Sequence, residues 1–128
     1  MEVCIKYKKS NLNKTKLMVI KEFIFFLQKE FPLKDDVTVL FTNKSDDGMT
    51  TGSNKLGRIK VLSKGRMLID VMRTLAHEWV HEHQHQYNRK RTKQDIGGPD
   101  ENEANIEAGK ILKMFAKKYP KKEDKMYE

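Results

Sequence analysis

The sequence predicts an α+β fold, and three observations carry that prediction. Apolar residues recur at three- and four-residue intervals in stretches 12–31 and 66–88, the period of a helix with one buried face. Short β-branched and aromatic segments bounded by turn residues lie between them. The chain has 128 residues, 38% of them hydrophobic and 34% charged, enough for one compact domain over 1–128 and too few for two.

Taken in order, the opening EVCIKYK is read as a short strand, with Cys4 a small buried thiol within it. Residues 12–31 follow as an amphipathic helix: Leu17, Ile20, Ile24 and Leu27 form its stripe, Phe23 and Phe31 flank it, and Pro32 ends it. DVTVLFTN is a strand, KSDDGMTTGSN a turn-rich loop, and LGRIKVLSKG a further strand. From Arg66 to Asn88 a second helix presents Leu68, Val71, Met72, Leu75, Ala76, Trp79 and Val80 on a broad apolar face. RKRTKQDIGGP is a loop, and a third helix runs from Asp100 to Tyr119, where Pro120 stops it.

The formal net charge is +8, and it raises nucleic acid as a partner. Its carriers are scattered over Lys6–Lys9, Arg89–Lys93 and Lys117–Lys125 without interleaved aromatics, so a solvated basic surface is the preferred reading. One cysteine excludes an intramolecular disulfide and a cysteine-based zinc cluster. The N-terminal stretch lacks the apolar run of a signal peptide, and LMVIKEFIFFL is interrupted by Lys21 and Glu22. The expectation is a soluble cytoplasmic chain with no membrane partner.

All four histidines fall in TLAHEWVHEHQHQYNRK, which contains H-E-x-x-H twice, from His77 and again from His81. Residues four apart on a helix share a face, so two imidazoles can reach one ion. The glutamate after the first histidine is turned by about a third of a turn, clear of the ion but within reach of a water beside it. In the first register the intervening residues, Trp79 and Val80, continue the apolar stripe and hold the helix in a core. In the second they are His83 and Gln84, which cannot anchor it that way. The first register is therefore preferred, with His77 and His81 as ligands and Glu78 as general base. His85 lies about 12 Å along the helix from His77, too far to share the ion; His83 and His85 are read as solvated rim residues.

A catalytic zinc takes three protein ligands and keeps one position open. No histidine or cysteine remains downstream, so a carboxylate is required, and GGPDENEANIEAGK offers Asp100, Glu101, Glu103 and Glu107. Asp100 and Glu103 also have the D-x-x-E spacing of a capping box, with Asp100 as the N-cap.

At TLAHEWVH and PDENEAN the chain resembles the gluzincin metallopeptidases, in which H-E-x-x-H is followed on a later helix by E-x-x-A and then Asp or Asn. The likeness is to the minimal, phage-type zincins and the ImmA-type proteins, and it covers about residues 55–116. It implies a minimal zincin-like domain: an N-terminal helix, a small twisted sheet, the histidine helix and a C-terminal glutamate helix. It assigns the third ligand to Glu101, with Glu103 as the alternative, and places Asn105 where it can orient a ligand histidine. Glu107 is either a supporting group or a solvated one. The third histidine of metzincins and SprT-type proteins is absent, and Tyr87 and His85 are the nearest candidates for an oxyanion stabiliser. By the same resemblance GRIKVLS is the rim of the sheet, able to pair with an extended peptide, with Arg58 and Lys60 favouring acidic or neutral segments.

The expected activity is zinc-dependent hydrolysis of peptide bonds in a protein or peptide substrate, with Glu78 taking the proton of a zinc-activated water. The competing expectation is a non-catalytic zincin-like module that binds a protein or nucleic acid through its basic surface. A purely structural zinc is disfavoured, because such sites complete four protein ligands and only three good ones are found.

Overall fold

A computed structural model describes residues 1–45, 48–87 and 98–128 of the chain. Strand β1 (Val3–Lys6) leads into helix α1 (Lys14–Glu30), which returns the chain to β2 (Val37–Thr42). β1 and β2 pair in parallel, as a strand–helix–strand crossover requires. β3 (Gly52–Lys55) and β4 (Arg58–Leu62) form an antiparallel hairpin, and β4 pairs in parallel with β2. The sheet order is β1-β2-β4-β3, followed in the chain by α2 (Leu68–Gln86), α3 (Pro99–Lys118) and the short α4 (Pro120–Met126). The fold is mixed α+β, with an open four-stranded sheet.

Burial alternates along β2 and β4, as it must when helices cover one face of a sheet. Val37, Val39, Phe41, Ile59 and Val61 point into the core, where they meet Phe23 and Leu27 of α1 and Leu75 and Trp79 of α2. Phe115 joins α3 to this core, standing edge-on to both Phe23 and Phe26 with ring centres 5.1 and 5.7 Å apart. Trp79 is fully buried, and its indole N–H donates to the Phe31 carbonyl at 2.9 Å. Each core aromatic contributes apolar burial worth about 1.5–3 kcal/mol, and Trp79 adds a polar tie that fixes how α2 sits against the end of α1.

The ends of the elements differ from the sequence expectations in physically interpretable ways. α1 starts at Lys14, because the Asn13 side chain accepts from the Lys16 amide as an N-cap. α3 begins at Pro99, whose fixed φ and missing N–H suit a first helical position, so its N-cap is Gly98. Asp100 is thus inside the helix and buried, and the N-cap position expected of it falls to Gly98. Pro120 ends α3, as read, but also opens α4. α4 and the residues after it support the histidine helix: Met126 is buried, and the Glu128 carbonyl accepts from the Leu68 amide at 2.8 Å, one of the free N–H groups at the start of α2. Cys4 is exposed, because the alternation of β1 turns it away from the core.

Two corrections concern the sheet. The stretch read as a loop over 44–54 contains the start of β3, a strand of polar residues (Gly52, Ser53, Asn54) that no β-propensity marks. GRIKVLS is not the rim. β4 lies inside the sheet between β2 and β3, so Arg58 and Lys60 sit on an interior strand, and the edge beside α2 is β3. The loop expected over 89–99 lies outside the described residues except for Gly98 and Pro99, as does Asn88. Among the described residues, no helix is long and apolar enough to cross a membrane.

Candidate metal centre

The fully buried apolar stripe of α2 (Leu68, Met72, Leu75, Trp79) sets the rotation of the helix, and that rotation decides where its polar residues go. His77 and His81, one turn apart, bring their Nε2 atoms to 3.2 Å from each other. The Glu101 carboxylate, from the first turn of α3, spans them: Oε1 lies 2.9 Å from His77 Nε2 and Oε2 lies 2.9 Å from His81 Nε2. Among the described residues, these three form a group able to hold a metal ion. Two imidazoles and a carboxylate are the donor types that borderline divalent cations accept.

The surroundings hold the donors in place. Asn105, one turn beyond Glu101, hydrogen-bonds His77. Burial pushes the His77 imidazole below its ordinary pKa and His81 adds to this, while Glu101 and the Asn105 hydrogen bond oppose it. The net lowering keeps the ring neutral at a pH where a free histidine is partly charged, and only the neutral ring can ligate. His81 Nδ1 lies 2.8 Å from Gln84 Oε1. Glu78, buried at 8% exposure, joins His77, Glu101 and Asn105 in the wall of an open cleft of about 420 Å³. Across that cleft runs the start of β3. A Cβ built on Gly52 would fall 2.5 Å from Thr74 Cγ2 and 3.1 Å from Glu78 Oε2, so only glycine lets the edge strand approach the carboxylate this closely.

The structure thus brings His77, Glu78, His81 and Glu101 together, with Asn105 on His77 as expected. No family model, curated protein or solved structure matches the chain. The assignment of residues therefore rests on this geometry.

The remaining candidates lie elsewhere. Glu103 is not in the donor group; its Oε1 accepts from Gln84 Nε2 at 2.8 Å. Glu107 pairs with Lys110 across one helical turn at 3.7 Å. His85 is not simply solvated: its Nδ1 is 2.6 Å from Asn54 Oδ1 on β3. His83 packs edge-on against Phe31 and lies over Tyr87, and the Tyr87 hydroxyl donates to the Pro32 carbonyl. That hydroxyl is committed to the turn after α1.

Glu82 and Gln86 were given no role from the sequence, and Gln84 was read as unable to anchor the helix in a core. Glu82 and Gln84 are fully buried and Gln86 nearly so. Glu82 accepts from the Gly57 amide with both oxygens and from Asn54 and Gln86, which ties the β3–β4 hairpin to α2. Gln86 accepts from the Lys34 and Asp35 amides and donates to the Asp35 carbonyl. The signal was present. Positions 82 and 86 extend the stripe 68, 72, 75, 79 at the same three- and four-residue intervals, and 84 extends 76 and 80. The second register anchors the helix after all, through hydrogen bonds in place of apolar contact.

Proposed function

We propose that the chain is a zinc-dependent metallopeptidase with a zincin-like arrangement, in which His77, His81 and Glu101 hold the ion and Glu78 is the general base. One observation carries this reading: three donors from two helices converge within about 3 Å beside a buried carboxylate that faces an open cleft. Zinc ligands at about 2.0–2.1 Å in a tetrahedral set lie about 3.3 Å apart, close to the separations found here. A His₂Glu set also leaves a coordination position for substrate or solvent, as catalytic zinc sites do.

When bound, zinc supplies Lewis acidity, polarising a substrate carbonyl and lowering the pKa of water to about 7. Glu78 takes the proton from the attacking water as its oxygen bonds to the carbonyl carbon, then passes it to the departing amine as the C–N bond breaks. The sequence copy of the gluzincin pattern, TLAHEWVH with PDENEAN, agrees with these roles. Gly52, at the start of the edge strand β3, lines the cleft, which supports a substrate held as an extended peptide by strand addition.

The test uses the full chain, zinc titration and an unfolded casein substrate. The expected result is uptake of one zinc per chain, casein cleavage, and a Glu78→Gln variant that keeps its zinc but loses about 10²- to 10⁴-fold in kcat. Undiminished turnover in that variant removes Glu78 from the role of base. Casein or nucleic-acid binding that survives the substitution, with no cleavage by either protein, favours the non-catalytic binding module instead.

A further inference from the structure

Gln84 sits fully buried between the two helices that carry the donor atoms. Its Nε2 donates to the Asp100 carbonyl at 3.0 Å and to Glu103 Oε1 at 2.8 Å. A backbone carbonyl can only accept, so the nitrogen end of the amide must face α3. Its oxygen is therefore the atom that meets His81 Nδ1 at 2.8 Å. An amide oxygen cannot donate, so Nδ1 carries the hydrogen, and in the neutral ring Nε2 bears the lone pair. That lone pair faces Glu101 Oε2 at 2.9 Å and the ring nitrogen of His77 at 3.2 Å. Acceptor atoms this close repel one another unless positive charge lies among them.

We propose that Gln84 is a positioning residue for the cation. With its oxygen it fixes His81 as the Nδ1–H tautomer, which presents Nε2 for ligation; with its nitrogen it holds the first turn of α3 so that Glu101 arrives at the same point. Asn105 serves His77 from α3, and Gln84 serves His81 from α2 itself, so each ring has its own amide partner. The inference rests on the metal reading of the site and adds what orients it.

The experiment pairs NMR of nitrogen-labelled histidine in the metal-free protein with zinc affinity measured by chelator competition. It compares the wild type, Gln84→Met, and the exchange Gln84→Glu with Glu103→Gln. The wild type should show His81 with hydrogen on Nδ1. Gln84→Met should lose that signature and bind zinc about 10- to 100-fold more weakly. The exchange keeps an acceptor for Nδ1 and reverses the side-chain bond between positions 84 and 103, but leaves the Asp100 carbonyl without its donor, so it should recover the tautomer and only part of the affinity. A wild-type ring with hydrogen on Nε2 and none on Nδ1 overturns the proposal, whether or not the variants fold. So does a Gln84→Met protein whose tautomer and affinity are unchanged. A wild type that shows the Nδ1–H ring but takes up no zinc instead overturns the metallopeptidase reading, and the cation role of Gln84 with it.

Discussion

The two overlapping copies of H-E-x-x-H on α2 share His81 and otherwise part company. In the first, Glu78 borders the cleft and the flanking imidazoles converge with Glu101. In the second, Glu82 is fully buried under the β3–β4 hairpin, and His85 reaches Asn54 rather than a metal-donor group. Identical spacing thus yields a candidate reaction centre in one register and a structural clamp in the other. A helix rotates a motif onto a face, and what waits on that face decides its use: open space and a third donor for Glu78, unsatisfied backbone N–H for Glu82.

The sharpest way to break this contrast is to remove histidines singly. His81→Ala should weaken zinc binding by about a hundred- to a thousandfold, since a total of about 10–16 kcal/mol is shared among a zinc ion's ligands. His85→Ala should change it by no more than about twofold; a larger loss in a chelator competition would put His85 in the first register's service. Next come the two glutamates. Glu82→Ala strands the Gly57 amide and takes one bond each from Asn54 and Gln86, which keep their other partners, and should lower unfolding stability by about 3 kcal/mol in urea. Glu78→Gln should stay within about 1 kcal/mol of the wild type in the same measurement.

A steric probe sharpens the picture of the edge strand. Gly52→Ala drives a methyl into Thr74 Cγ2 and towards Glu78, so turnover should fall by about tenfold or more while zinc affinity holds. Adding Thr74→Ser removes the struck methyl and should restore part of the rate. The smallest effect is in pH. The folded His77 pKa lies below the unfolded value of about 6.5, so the unfolded chain binds more protons between the two. Stability of the metal-free protein from this ring is therefore complete above about pH 6.5 and is lost as pH falls towards the folded value. Urea midpoints across that range should show the decline, and His77→Gln should flatten it.

How much of this was legible beforehand follows from where each signal resides. The helices announced themselves through Leu68, Met72, Leu75 and Trp79, because apolar periodicity is a local property that burial enforces. The pairing of His77 with His81 followed from the same period, and the reach to Glu101 came from the resemblance at PDENEAN. β3 was hidden, since Gly52, Ser53 and Asn54 have turn-like composition and become a strand only by pairing with β4. The resemblance put β4 at the rim, a place that β3 takes once that segment is a strand. Glu82 and Gln86 were passed over, and Gln84 was rejected as an anchor, because charged and amide side chains are expected outside. Their burial is stabilised by partners up to 52 positions away, which spacing along one helix cannot reveal. The start of α3 moved because Pro99 is a better first helical residue than Asp100 is a cap.

Phe115 and Glu101 occupy opposite ends of α3, one wedged between Phe23 and Phe26 and the other reaching the paired imidazoles. Fourteen residues separate them, a rigid rod of about 21 Å. Such a rod works as a lever: a tilt of about 3° at the aromatic pivot swings the carboxylate by about 1 Å. Ion affinity would then act as a remote gauge of how well three phenyl rings fit together.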